Sequence, residues 1–175
     1  MEDVPDLKIK IFYDQQALVV YLRKNITIES LHGKVRETCK LAANQPITIK
    51  WIDNEDDPCT ISSQAELIEA MTLMHEFREA ELKLHVFLGM PMNPGALCPG
   101  EDKTVYRRGA RRWVKKIYNV QGHRFQPKRL NQRTECALCS DTIWGLGRAG
   151  FRCSDCGMCV HKKCHKFVSA KCTSV

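Results

Sequence analysis

The sequence predicts an α+β chain built from two modules. A mixed sheet wrapped around helices comes first, then a basic linker, then a small module held together by metal. Three observations carry this. Strand and helix signals alternate over residues 7–88 in the order ββαββαβ. From residue 123 onward, Cys and His recur at the spacings of tetrahedral metal sites. Finally, charge divides along the 175 residues: 1–102 carry 10 Lys and Arg against 17 Asp and Glu, net −7, whereas 103–175 carry 17 against 3, net +14. Such asymmetry suggests modules with different partners.

In the first module, Leu7, Ile9, Ile11 and Tyr13 alternate with Lys8, Lys10 and Phe12, the pattern of a half-buried strand. Ala17–Leu22 is a second β-rich run after a short polar turn. Leu31, Val35 and Cys39 recur at i, i+4 and i+8 behind the cap Thr27, one face of a helix. Ile47–Ile52 reads as a third strand and Cys59–Ile61 as a short fourth. In "SQAE", Ser63 and Glu66 stand where a capping box needs them, and Leu67, Met71 and Met74 give that second helix an apolar face. Leu82, Leu84 and Val86 form the last strand.

Between the third strand and the second helix lies "DNEDDPC", with four acids in five residues. A calcium loop of the EF-hand kind wants Gly at its sixth position and Glu at its twelfth. Pro58 and Gln64 stand there instead, which leaves a solvated acidic turn as the plain alternative. Element order and loop together resemble the ubiquitin-like PB-one interaction domain of the β-grasp class. That resemblance implies an acidic binding face of Asp53, Glu55, Asp57 and Glu66, and a basic face on the first strand with Lys10 as its lysine. Asp56 departs from the family, which has Gly at that place. Front-to-back pairing of acidic loop and basic strand edge would give steering and specificity. Glu66 has a second reading, as a helix cap.

In the second module, His123 is followed by "CALC" with Cys136 and Cys139, then "CSDC" with Cys153 and Cys156, then His161, Cys164 and Cys172. A lone CxxC is a weak signal; two of them with His and Cys at fixed offsets are a strong one. Ten cysteines could mean disulfides, but with no secretory signal metal is the better reading. Eight ligands make two sites of three thiolates and one imidazole. About fifty residues bury too little apolar surface to fold unaided, and structural zinc supplies the deficit. With four protein ligands per metal, no position stays open for catalysis.

The eight-residue spacing resembles the C-one domain of the protein kinase C superfamily. The resemblance implies an interleaved pairing: His123, Cys153, Cys156 and Cys172 on one Zn2+, and Cys136, Cys139, His161 and Cys164 on the other. Cys39, Cys59, Cys98 and Cys159 fall outside the pattern. Phe125, Trp144, Gly145 and Gly150 match the frame of the family's diacylglycerol groove. Arg133 replaces the groove proline and Ala149 a glutamine, while Arg129 and Arg148 add charge at the same mouth. Burying unpaired arginine in an acyl layer is costly. The expectation is a domain that contacts anionic lipid through Arg129, Arg133 and Arg148 but has lost ordinary diacylglycerol binding.

Residues 89–122 read as the linker, opened by "GMPMNPGALCPGED". Within it, "YRRGARRWVKK" sets six Lys or Arg in eleven residues, with no acid among them. Taken alone, such a run reads as a nucleic-acid or import patch, or as a polybasic membrane segment. The order of PB-one domain (7–88), basic segment (104–116) and single C-one domain (123–172) resembles the regulatory half of atypical protein kinase C. That resemblance implies a pseudosubstrate in which Arg107, Arg108, Arg111 and Arg112 fill acidic subsites. Ala110 stands where a phosphoacceptor hydroxyl belongs.

No signal peptide, membrane-length apolar run, Gly-rich phosphate loop, HRD or DFG is present in the sequence. The expected function is therefore a non-catalytic regulatory region of a serine/threonine kinase, cytoplasmic and recruited to the membrane cortex. Its implied partners are the kinase domain in cis, PB-one scaffolds of the Par and sequestosome types, and anionic lipid. The competing reading is a basic zinc-finger adaptor that binds nucleic acid through its +14 half.

Overall fold

The structure is a computed structural model. It describes residues 7–93, 96–101, 105–106, 115–130, 133–145 and 147–174. The chain divides into one unit over 6–115 and another over 116–175.

The first unit begins with a hairpin of β1 (Leu7–Tyr13) and β2 (Gln16–Leu22). Tyr13 pairs with Gln16, and the two turn residues Asp14 and Gln15 both take positive φ, 48° and 57°. Those are the signs of the type I′ turn, whose twist suits a hairpin. Helix α1 (Ile28–Thr38) follows, with the Thr27 hydroxyl accepting the Ser30 N–H. Then come β3 (Ile47–Ile52), β4 (Pro58–Thr60), α2 (Gln64–Glu76) and β5 (Leu82–Leu88), so the ββαββαβ order is found. The sheet order is β4-β3-β5-β1-β2, with β1 and β5 parallel in the middle.

The core lies between the helices and the sheet, and includes Ile9, Ile11, Leu31, Val35, Ile49, Leu67 and Leu84. On α2 the face differs by one step from expectation. Leu67 and Ala70 are its buried residues, and Met71 and Met74 are only half-buried at its edge. The two helix starts are tied through Gln64, whose side chain accepts the Ile28 N–H at 2.8 Å and donates to the Ile26 carbonyl.

Part of the stretch read as linker packs back on this unit. Glu101 has a fully buried side chain that meets the Lys50 ammonium at 2.7 Å, and it also accepts from Cys98 N and the Tyr106 hydroxyl. Tyr106 sets its ring edge against His85, 4.7 Å between centroids.

The second unit starts at β6 (Lys115–Val120), ahead of the first zinc-ligand candidate, and continues through β7 (His123–Lys128), β8 (Gly150–Cys153) and β9 (Cys159–His161). All neighbours are antiparallel. The β6–β7 turn uses Gln121 and Gly122 at φ of 50° and 80°, placing His123 at the first residue of β7. The core is small: Phe125, Ile143, Phe151, Val160 and Val168, with Cys136, Cys153 and Cys164 among them. Three of its eight buried members are thiols of the ligand pattern, so without metal the apolar remainder is slight.

Candidate functional site

The interleaved clusters. His123, Cys153, Cys156 and Cys172 come together with all ligand atoms within 4.8 Å of one another; Cys136, Cys139, His161 and Cys164 form a second such group. All ten cysteines are free thiols. The hairpin turns explain the positions. Cys136–Cys139 and Cys153–Cys156 each sit on a tight turn, closed by Ser140 N to the Cys136 carbonyl and by Gly157 N to the Cys153 carbonyl. Gly157 takes φ 77° there, a conformation that favours glycine.

Both imidazoles are oriented alike. His123 Nδ1 lies 3.3 Å from Cys156 Sγ, while its Nε2 lies 3.1 Å from the Ala170 carbonyl oxygen. His161 Nδ1 lies 3.3 Å from Cys139 Sγ, and its Nε2 3.3 Å from the Thr142 carbonyl. A carbonyl can only accept, so Nε2 carries the proton and Nδ1 offers its lone pair to the cluster, the outer-shell arrangement of metal-ligating histidine. Backbone donors also aim at sulfur. Burial pushes the Cys136 thiol up, but N–H groups of Cys139, His161 and Leu138 outweigh it and bring it down to about 6. Cys153 is likewise lowered against its burial, by N–H groups of Cys156, Asp155 and Arg124. Thiolate-favouring dipoles and closed three-sulfur, one-nitrogen sets fit structural zinc.

The acidic loop. Asp53, Glu55 and Asp57 also gather within 4.8 Å. Their roles differ. Asp53 turns inward: its Oδ1 accepts the Glu55 and Asp57 N–H groups at 2.8 and 2.9 Å, and Cys59 Sγ donates to Oδ2 at 3.5 Å. The bond from the Asp57 N–H is the chief reason its carboxyl is held below the usual range. Glu55 and Asp57 are exposed. Asp56, standing where the resembled family has Gly, takes φ 66° and so keeps the glycine conformation. Glu66 is committed to the helix start: Oε2 accepts from Ser62 N, Ser62 Oγ and Ser63 N in a full capping box. On the opposite strand, Lys8 and Lys10 both meet Glu81, at 3.0 and 3.5 Å.

The mouth of the second unit. Phe125 is fully buried, stacked on His123, whereas Trp144 stands 78% exposed. Gly150 is required by crowding: a Cβ there would meet Ile143 and Leu130 side chains and the Val160 carbonyl at 3.0–3.2 Å. Arg129, Arg133 and Arg148 are exposed. Arg107, Arg108, Ala110, Arg111 and Arg112 lie outside the described residues. Sequence reasoning missed the two carbonyls that orient the histidines, because main-chain acceptors leave no residue signature. It also missed the Lys50–Glu101–Tyr106 cluster, whose one signal was a lysine inside the apolar run Ile47–Ile52.

Comparisons with known proteins agree with this division. Residues 6–89 match the PB1 domain family, and residues 123–174 the phorbol esters/diacylglycerol binding domain (C1 domain). "Atypical protein kinase C" of Drosophila melanogaster is 49% identical over 99% of this chain, and "Protein kinase C zeta type" of Oryctolagus cuniculus 47% identical over 95%. The chain spans 28% of the length of each. Among solved structures, an "AtNBR1-PB1 domain" aligns with 47% of this chain and 97% of its own, at 16% identity and a TM-score of 0.38. With a PB1 domain, a C1 domain and about half its residues identical to these kinases over nearly its whole length, the chain belongs to the atypical protein kinase C family, as its regulatory region.

Proposed function

We propose that this region binds scaffolds through its PB1 domain and silences a kinase domain through the segment between its two domains. The observation that carries the reading is the position of "YRRGARRWVKK": an arginine run with alanine at its centre, between PB1 and C1 domains, in a chain about half identical to atypical kinases. Arg107, Arg108, Arg111 and Arg112 make charge-assisted contacts to acidic side chains of the cleft, and Ala110 offers no hydroxyl to accept phosphate. The exposed carboxylates of Glu55 and Asp57, on a loop pinned by Asp53, face a basic PB1 partner such as a Par-type or sequestosome-type scaffold. His123, Cys153, Cys156 and Cys172 hold one zinc, and Cys136, Cys139, His161 and Cys164 a second. Each zinc cross-links strands that the small core cannot hold alone. Arg129, Arg133, Arg148 and exposed Trp144 suit an anionic membrane surface, at about 1 kcal/mol per basic residue. Residence in the cytoplasm with recruitment to the membrane cortex follows from that pairing of scaffold and lipid.

The test adds the chain in trans to an isolated atypical kinase domain and follows peptide phosphorylation. Inhibition is expected, and Ala110→Ser should convert it to inhibition that decays under ATP as the serine is phosphorylated. Phosphate brings about −1.5 to −2 charges among the cleft's acids, which repel the product. A serine variant that remains unmodified, while a control peptide is phosphorylated, refutes the assignment of Ala110.

A further inference from the structure

The residues just before the arginine run are fastened to the PB1 domain rather than free. Leu88 ends the last strand of that domain, and an unattached linker from there would give the first arginine, Arg107, nineteen residues of slack. Glu101 removes nearly all of it. Its carboxylate has no exposed surface and holds the Lys50 ammonium at 2.7 and 3.0 Å, the Cys98 N–H at 2.8 Å and the Tyr106 hydroxyl at 2.7 Å. Tyr106 is then wedged edge-on against His85 and Phe87. A buried ion pair is weak ground for stability, but its usual service is to fix a register. What this one fixes is the position of Tyr106, one residue before Arg107 in the sequence.

Reach follows from chain geometry. Ala110 lies four residues beyond Tyr106, at most about 14 Å of extended chain. A kinase cleft that receives Ala110 as a pseudosubstrate must therefore come up against the PB1 surface around Tyr106. That surface is an open groove of about 500 Å3, in which Tyr106 and Val105 are joined by Leu73, Met74 and Phe77. Phe77 is 56% exposed, a large apolar side chain with no burial to explain it.

We propose that this groove, at its Leu73–Met74–Phe77 side, is a docking surface for the same kinase domain whose cleft takes the arginine run. The inference rests on the pseudosubstrate reading. The same groove is bordered by Asp53, Asn54 and Asp56, so the silenced kinase domain would sit directly beside the Glu55 and Asp57 carboxylates offered to a scaffold.

The experiment places a photo-crosslinking phenylalanine at position 77 of the whole chain and mixes it with an isolated atypical kinase domain. A crosslink to that domain is expected. A second chain carries twelve Gly and Ser residues inserted between Tyr106 and Arg107, which leaves the Glu101 cluster intact and lengthens only the tether. It should still inhibit, with crosslinking at position 77 reduced at least tenfold. Inhibition without a crosslink from the uninserted chain overturns the docking surface, and so does a crosslink that the insertion leaves unchanged. If neither chain inhibits, the pseudosubstrate reading itself fails, and the inference with it.

Discussion

The Asp57 N–H donates to the Asp53 carboxylate across 2.9 Å, so the two acids at the ends of the loop do different work. Asp53 shapes the turn that Asp57 decorates.

Replacing Asp53 by Ala should therefore act as a folding lesion as well as a charge loss. The turn loses acceptors for two N–H groups, at about 1 kcal/mol each. Asp57→Arg keeps its N–H bond and reverses an exposed charge. Urea unfolding should show the first variant clearly destabilised and the second nearly unchanged. Binding to a basic PB1 partner should fall by several kcal/mol for Asp57→Arg, through one lost pair and one new repulsion. Full affinity in the Asp57→Arg chain would remove the loop from the interface.

Asp56→Gly should stabilise the PB1 domain. The residue holds φ 66°, which costs a side-chain-bearing residue roughly 1–2 kcal/mol, less for Asp, and glycine adopts it freely. Glycine also gains freedom when unfolded, so the net gain should be at most about 1 kcal/mol, read as a raised urea midpoint with an unchanged slope. A lowered midpoint would mean that the Asp56 carboxylate does something the backbone does not reveal.

His85 should make the PB1 domain acid-sensitive. It lies stacked on Phe12 and edge-on to Tyr106, and burial pushes its pKa down to about 4, although the Glu101 charge opposes this. A depressed histidine gives stability that is whole above the unfolded value near 6.5 and is lost as pH falls from there toward 4. The loss should approach about 3 kcal/mol at most. His32 is lowered as well, by partial burial, and adds a smaller slope in the same window. The depressed carboxyls of Glu101, Asp53 and Glu66 act only at lower pH, below the unfolded carboxylate range. The stability of the first unit should thus fall as pH drops from 7 to 5, and His85→Phe should flatten most of the dependence.

Chelation should dissolve the second unit and spare the first. Apparent folding energies of about 10–16 kcal/mol attach to structural zinc at neutral pH, far more than a core of five apolar residues and three thiols supplies. Hydrogen exchange after chelator treatment should show protection lost across 116–174 and kept across 7–88. Cys136→Ser should do the same without chelator. Metal analysis giving one zinc per chain would refute the paired sites.

Much of this was legible in the residues because it rests on side-chain periodicity and spacing. The alternation of Leu7, Ile9 and Ile11, the caps Thr27 and Ser63–Glu66, and the eight Cys and His positions all reappear as three-dimensional features. The face of α2 was read one step off because Ala70 carries little hydrophobic weight in a pattern, yet a small residue is what close packing on the sheet admits. The anchoring of Glu101 was hidden for another reason. A Gly- and Pro-rich stretch signals turns, and nothing local says that one acid within it will find Lys50 fifty-one residues away. The shared hold on Glu81 by Lys8 and Lys10 likewise depends on strands meeting in parallel, which no single strand encodes.

One bond in the C1 domain has a mechanical meaning. The Cys172 N–H meets the Gln121 carbonyl at 3.0 Å, so the β6–β7 turn just before the first ligand is fastened to the last ligand. His123 and Cys172, the outermost ligands, belong to the same cluster. A pull between positions 121 and 173 would therefore be borne by that hydrogen bond, by the one from His123 Nε2 to the Ala170 carbonyl, and by a metal held in the outer cluster, while Cys136, Cys139, His161 and Cys164 lie beyond the line of force. Under tension the two metal sites should fail in sequence, the outer one first, releasing the ends of the domain before its centre.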